Sequence, residues 1–195
     1  MPSPLDEIRR FVELPEEIEM RLREAMHTTH FNRGDTITAT NDMRNNAFYI
    51  SQGMARIFYI RNGKEHTYSF TLENQFLMLS NYILDSEEMV VGVEFLEPTD
   101  MIFVSHAQIR AALQSVDATQ RHGLTAFATT AMFNYTSYLE DRLLMMQNTS
   151  ASQRYEWLCR RYPKILERAT TTQLASFLGV TRETLYRIRA GKYPH

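Results

Sequence analysis

The chain has 195 residues, 44% of them apolar and 23% charged, with a formal net charge of −2. Those values exclude a disordered, collagenous or low-complexity chain and leave room for one or two domains with a sizeable core. The single cysteine, Cys159, excludes an intrachain disulfide, an iron–sulfur cluster and a four-cysteine zinc site.

No run approaches the ~20 apolar residues of a membrane span, and the first residues carry no basic-then-apolar leader pattern. The sequence therefore reads as soluble and cytoplasmic. Residues 4–27 carry Leu5, Ile8, Phe11, Val12, Ile18, Leu22 and Met26 at spacings of three and four, which predicts helix. Pro15 is expected to divide this run and to occupy the first position of the second helix.

The period then changes. Short β-rich segments follow at Thr36–Thr40, Ala47–Ser51, Met54–Arg61, Lys64–Thr71, Phe76–Leu79, Met89–Phe95 and Met101–Ser105. Asn62-Gly63 between two of them signals a two-residue hairpin, because a type I′ turn needs positive φ at both positions. Strands of this length and spacing predict an antiparallel roll, barrel or sandwich.

Helical periodicity returns at Ala107–Gln114 and again from about Ala118 to Gln147. In the longer segment Leu124, Ala128, Ala131, Tyr135, Tyr138 and Met145 follow a three-four repeat interrupted by Arg142. Phe133, Leu139, Leu143 and Met146 lie on another face. Two apolar faces suit a helix that packs on its own domain and on a second copy, and the first set is expected to form the dimer interface. The polar linker 147–152 follows, and Ser150 with Gln153 forms a capping box for a helix running to about Tyr162, limited by Pro163. The expected domains are residues 1–116, a roll; 117–148, the dimerisation helix and linker; and 149–195, a nucleic-acid-binding module.

Charge supports that division. Residues 1–147 hold 12 Lys/Arg and 20 Asp/Glu, whereas residues 148–195 hold 9 and 3. An acidic body with a basic tail module suits a tethered DNA-binding domain. Within the basic module, residues 170–189 read as two short helices joined by a tight turn. Leu174, Phe177 and Leu178 face inward and Ala175 allows close crossing. Gly179 ends the first helix, Val180 plugs the joint and Thr181 caps the second. Leu185 and Ile188 then point inward, leaving Arg182, Glu183, Tyr186, Arg187 and Arg189 outside. Such a helix fits a major groove, where Arg pairs with guanine and Glu accepts from a base amino group.

The stretch Thr181-Arg182-Glu183-Thr184-Leu185-Tyr186-Arg187-Ile188 resembles the recognition helix of the Crp/Fnr family of bacterial transcription factors. Residues 31–37 and 48–56 resemble the first strands of that family's cyclic-nucleotide-binding-type roll, and the likeness spans about residues 5–190. It implies an α+β fold: an N-terminal antiparallel β-roll (a double-stranded β-helix), a long dimerisation helix, and a C-terminal winged-helix-type helix-turn-helix with a reduced wing. It implies a homodimeric DNA-binding transcription regulator without catalytic activity, whose partners are double-stranded DNA and, as a further candidate, RNA polymerase, with no membrane. Arg182, Glu183 and Arg187 take the base-contacting positions. Thr171, Thr172, Thr181 and Thr184 are candidates for phosphate contact, with Arg189 and Lys192 adding positive charge.

One region departs from the family. Cyclic-nucleotide binders of this fold cradle the phosphate with a Gly-Glu pair and an Arg-Ser pair. Residues 73–92 contain no Arg or Lys, and Met78 and Leu79 stand where the Gly-Glu pair would be. Cyclic AMP is therefore not expected to bind in the usual way. The degenerate pocket region is assigned to Phe76, Met78, Leu79, Met89 and Val90, filled together with Phe70 and Tyr68, with no cofactor predicted and the effector unknown. Two other classes remain open. A haem or gas sensor could use His66, His106 or Cys159. A cupin-like metal protein needs a closely spaced histidine pair, which His27, His30, His66, His106, His122 and His195 do not supply, so no metal site is predicted.

Overall fold

The β-rich run folds into two four-stranded antiparallel sheets that enclose an apolar interior. A computed structural model describes residues 3–38, 43, 45–79, 90–147 and 149–192. The strands are β1 (His27–Phe31), β2 (Thr36–Thr38), β3 (Asn46–Gln52), β4 (Met54–Arg61), β5 (Lys64–Leu72), β6 (Gln75–Phe76), β7 (Val90–Phe95) and β8 (Thr99–Ser105). One sheet has the order β1-β8-β3-β6 and the other β2-β7-β4-β5. Phe48 and Ile50 from one sheet meet Ala55, Ile57, Val91, Val93 and Phe95 from the other, and together they fill the roll. Asn62 and Gly63 have φ of 52° and 70°, the positive pair that the β4–β5 hairpin turn requires.

Several boundaries differ from the sequence expectation. The helical pattern before the roll yields α1 (Pro4–Ile8) and α2 (Glu16–Ala25), with Pro15 as the N-cap of α2 rather than its first residue. Residues 27–31, of which only His27 lay in the expected helical run, form a strand not anticipated from the sequence, in which the β-branched Thr28 and Thr29 pair with Ile102 and Met101 of β8. The strand expected at Phe76–Leu79 shrinks to β6, which pairs only Tyr49 and Ile50, after which the Leu77 amide donates to the Phe48 carbonyl and the chain leaves the ladder. Residues 39, 40 and 89 of two other expected strands lie outside the described residues.

Helix α3 (His106–Ala112) starts at a Ser105 capping box with Gln108. Its Ala112, with Val116, joins Leu5, Ile18 and Leu22 in a small cluster that fixes the N-terminal helices beside the roll. Helix α4 (Ala118–Gln147) runs the expected length of 30 residues. Helices α5 (Ala151–Arg161), α6 (Pro163–Arg168), α7 (Thr171–Leu178) and α8 (Arg182–Arg189) complete the chain. The Ser150–Gln153 box caps α5 as its sequence indicates. Pro163 stops α5 and also opens α6 at the first helical position, a short helix not anticipated from the sequence.

These C-terminal helices do not close a core alone. Leu158, Ile165, Leu174, Phe177, Leu178 and Leu185 bury themselves together with Met54, Phe70 and Leu96 on the outer surface of the β2-β7-β4-β5 sheet. Residues 54–58 of β4 are accordingly buried on both faces. Polar contacts border that seam. The Thr67 amide donates to Ser176 Oγ at 2.8 Å, and Gln173 Nε2 donates to Glu94 Oε2 at 3.2 Å.

Candidate nucleic-acid interface

The end of α7 and the start of α8 are set by local chemistry. Thr170 and Gln173 form a capping box that starts α7. Gly179 follows Leu178 in the left-handed region at φ 65° and ψ 38°, and the Val180 amide donates back to the Ala175 carbonyl. Thr181 then caps α8, its hydroxyl accepting from the Thr184 amide at 3.0 Å. Leu185 is fully buried and Val180 is half-buried against the same cluster, so these two side chains hold α8 across α7.

That docking fixes which side of α8 meets solvent. Arg182, Glu183, Tyr186, Arg187, Ala190 and Lys192 line one open, shallow depression. Of the residues assigned to DNA from the sequence, Arg182, Glu183, Arg187 and Lys192 are brought together there. Thr172 is exposed on α7. Thr181 and Thr184 are partly engaged, since the Thr181 hydroxyl donates to that of Thr184 at 2.9 Å. Arg189 turns away: Nη1 donates to Thr171 Oγ1 at 3.3 Å and the guanidinium lies 5.7 Å from the Tyr155 ring centroid. Tyr186, outward-facing as its spacing indicates, is 54% exposed and lines the same depression. No strand occurs among the described residues of 149–192.

Helix α4 turns most of the residues expected at the dimer interface toward the chain itself. Leu124 packs on the N-terminal cluster, Tyr135 and Tyr138 stack at 6.5 Å, and Tyr138 meets Tyr162 edge-on at 5.8 Å. Ala131 and Met145 are half-buried on this side, and Ala128 is exposed at its margin. Leu124, Tyr135 and Tyr138 therefore serve the chain's own packing. The most exposed large apolar side chains of the helix are Met132, Phe133, Leu143 and Leu144, 54–70% accessible, on the opposite side. Only Phe133 and Leu143 of this set belong to the second apolar face read from the sequence, because periodicity alone does not say which stripe the chain covers.

The degenerate pocket region is likewise divided. Leu79 and Tyr68 pack against the roll interior as expected. Phe70 instead faces outward onto Phe177 at 5.1 Å, and Phe76 sits edge-on to Tyr49 and Phe127. Met78 is half-buried, Val90 is 56% exposed, and Met89 is outside the described residues. Among the described residues no group of three or more His, Cys, Asp or Glu could hold a metal ion. His66 stacks on Tyr59 at 5.0 Å, His106 is exposed at the start of α3, and Cys159 is half-buried. No helix among the described residues is long and apolar enough to cross a membrane.

An antiparallel roll, a long helix and a terminal helix-turn-helix define a class of architecture, and comparison with known proteins places it. Residues 28–116 match the family model of the cyclic nucleotide-binding domain. The solved structure of a CooA mutant from Carboxydothermus hydrogenoformans aligns with 98% of this chain and 84% of its own at 13% identity, TM-score 0.67. A cyclic nucleotide-binding domain containing protein from Listeria monocytogenes aligns over 97% and 90% at 14% identity, TM-score 0.66. A putative transcriptional regulator of the Crp/Fnr family from Eubacterium rectale aligns over 91% and 83% at 17% identity, TM-score 0.59. No curated protein sequence matches significantly. The chain thus shares the fold of a Crp/Fnr-type regulator, as the sequence resemblance implied, and residues 28–116 form a roll of the cyclic-nucleotide-binding type.

Proposed function

We propose that the protein is a sequence-specific DNA-binding transcription regulator without catalytic activity, acting as a homodimer. The observation that carries this reading is the pair α7–α8: a left-handed Gly179, a Thr181 cap and a buried Leu185 present Arg182, Glu183 and Arg187 from one rigid helix face. Arg182 and Arg187 pair with guanine, Glu183 accepts from a cytosine or adenine amino group, and Lys192 meets phosphate. The chain divides into residues 1–116, 117–148 and 149–195 as sensor-type roll, dimerisation helix and DNA-binding unit. Two copies joined through α4 present two α8 helices to a pseudo-palindromic site whose half-site centres lie about 34 Å apart.

The exposed apolar face of Met132, Phe133, Leu143 and Leu144 supports the homodimer, since bare apolar area of this kind on a long helix marks an interface. RNA polymerase is the further partner this reading carries. Cyclic AMP is not the effector in this reading, because the described part of residues 73–92 offers Glu73 and no cation.

Selection of bound fragments from random double-stranded DNA tests the function. An enriched pseudo-palindrome that Arg182→Ala no longer enriches supports it. No preference over heparin-like polyanions at modest ionic strength overturns it.

A further inference from the structure

The sheltered arginines of this fold are treated unequally. Arg56 donates to carboxylates of both Glu65 and Glu94, and Arg168 donates to both Glu73 and Glu97. Arg154 is satisfied by the backbone carbonyls of Leu178 and Thr149, at 2.9 and 2.8 Å. Arg142, on the inward face of α4, has no ion pair among the described residues. Its Nη2 makes a long hydrogen bond to the Thr67 carbonyl at 3.5 Å, and the neutral Tyr138 hydroxyl is its other polar neighbour. Its Cζ lies 4.0 Å from the centroid of Phe177, so an aromatic face stands where the other arginines have a carboxylate.

Two further groups converge on the same place. Tyr135, Tyr138 and Arg142 are spaced three and four residues apart, so they form one stripe of α4. The hydroxyls of Tyr135 and Tyr138 and Nη1 of Arg142 are all shielded from solvent and none makes a hydrogen bond of normal geometry, their polar neighbours being Tyr68, the Phe70 backbone and one another. Native structures leave few such atoms unpaired, and a buried cation without a counter-charge is costlier still. Burial weakens the hold of Arg142 on its proton and pushes the Tyr138 phenol up to about 12, so the phenols are neutral donors at physiological pH. Three donors without a close acceptor and one positive charge without a counter-charge are complementary to a carboxylate.

We propose that Arg142, Tyr138 and Tyr135 form the binding site for a small monoanionic carboxylate with an aromatic or apolar body. A single guanidinium neutralises one negative charge, and a phosphate dianion would leave a net charge in a shielded place. The surrounding rings of Tyr138, Phe177 and Tyr162 suit a flat apolar body. The site lies between α4, β5 and α7. Thr67, whose carbonyl meets Arg142, passes its amide to Ser176 of α7, and Phe177 is the next residue along. An occupant therefore touches the first helix of the helix-turn-helix directly. The consequence for DNA rests on the function proposed above, but binding itself does not.

The test uses the whole protein without DNA. Sodium benzoate is titrated at constant ionic strength set with chloride, reading the melting temperature and the fluorescence of Trp157. A saturable rise in melting temperature is expected for the natural chain, with no rise for Arg142→Gln and affinity lowered about tenfold for Tyr138→Phe, the equivalent of 1.4 kcal/mol. Inorganic phosphate in the same series should give no saturable rise. The proposal is overturned by an unsaturable response to benzoate in the natural chain, which would leave water as the partner of these donors. It is also overturned if phosphate matches benzoate, or if Arg142→Gln responds as the natural chain does. Should Arg142→Gln fail to fold, Tyr138→Phe and Tyr135→Phe decide, and unchanged affinity in both overturns it. A positive titration with no operator in the fragment selection would refute the proposed function and leave this site standing.

Discussion

At the scale of single residues, the DNA-facing helix makes distinguishable demands. Arg187→Ala should cost roughly 1–3 kcal/mol on the selected operator and relax discrimination at one base pair, read by competition against single-base variants. Lys192→Ala should instead weaken binding to all sequences alike and lower the slope of log affinity against log salt by about one. Gly179→Ala tests the turn rather than the contact. Its φ of 65° is strained for a side chain, and a new Cβ would lie 2.8 Å from Met146 Cε, the mobile end of that side chain. A loss of about 1–2 kcal/mol in folding stability is expected in denaturant titration. The residues behind these tests were legible in the sequence because their signals are local: a glycine, a threonine cap and a glutamine three places on are read within one turn. Arg142 was visible only as a break in an apolar repeat. Its surroundings, Thr67 and Phe177, come from segments 75 and 35 residues away, and no local pattern reports them.

At the scale of elements, the long helix shows where periodicity stops being informative. Its length and limits followed from the pattern, but the choice between its two apolar faces depended on which rings could fit beneath it. Tyr135 and Tyr138 carry large bodies that pack on the chain, leaving Met132, Phe133, Leu143 and Leu144 uncovered. A Leu143→Asp, Leu144→Asp double variant should sediment as a monomer at concentrations where the natural chain is dimeric, with an unchanged far-ultraviolet spectrum. Weakened operator binding should accompany the monomer, since each half-site then acts alone. The strand His27–Phe31 marks the converse failure. Its partner β8 lies some 70 residues away, and pairing overrode the helical spacing that Met26 seemed to continue.

At the scale of the whole molecule, the basic terminal unit lies on the acidic body in contacts that formal charge alone only suggested. Lys164 Nζ donates to Glu73 Oε1 at 2.8 Å, Arg168 reaches both Glu73 and Glu97, and an apolar cluster lies beneath. Burial alone would raise the Glu73 carboxyl, but the hydrogen bonds from Lys164 and Arg168 outweigh it and bring it down to about 2. A depressed carboxyl stabilises the fold above its unfolded value near 4.5 and loses that contribution as pH falls towards 2. Glu73→Gln should therefore cost about 1–2 kcal/mol at neutral pH and flatten the acid limb of stability between about pH 4.5 and 2. Thermal melts across that range check both. Cyclic AMP is expected to show no saturable binding by calorimetry at micromolar concentration, and stoichiometric heat would reverse that reading.

The strand Met54–Arg61 acts as a party wall. Ile57 looks into the roll while Met54 packs with the terminal helices, so the two compartments are separated by a single thickness of backbone. Swelling or shrinking the room on one side must bow this partition, and the neighbour on the other side feels the displacement without any intervening lever.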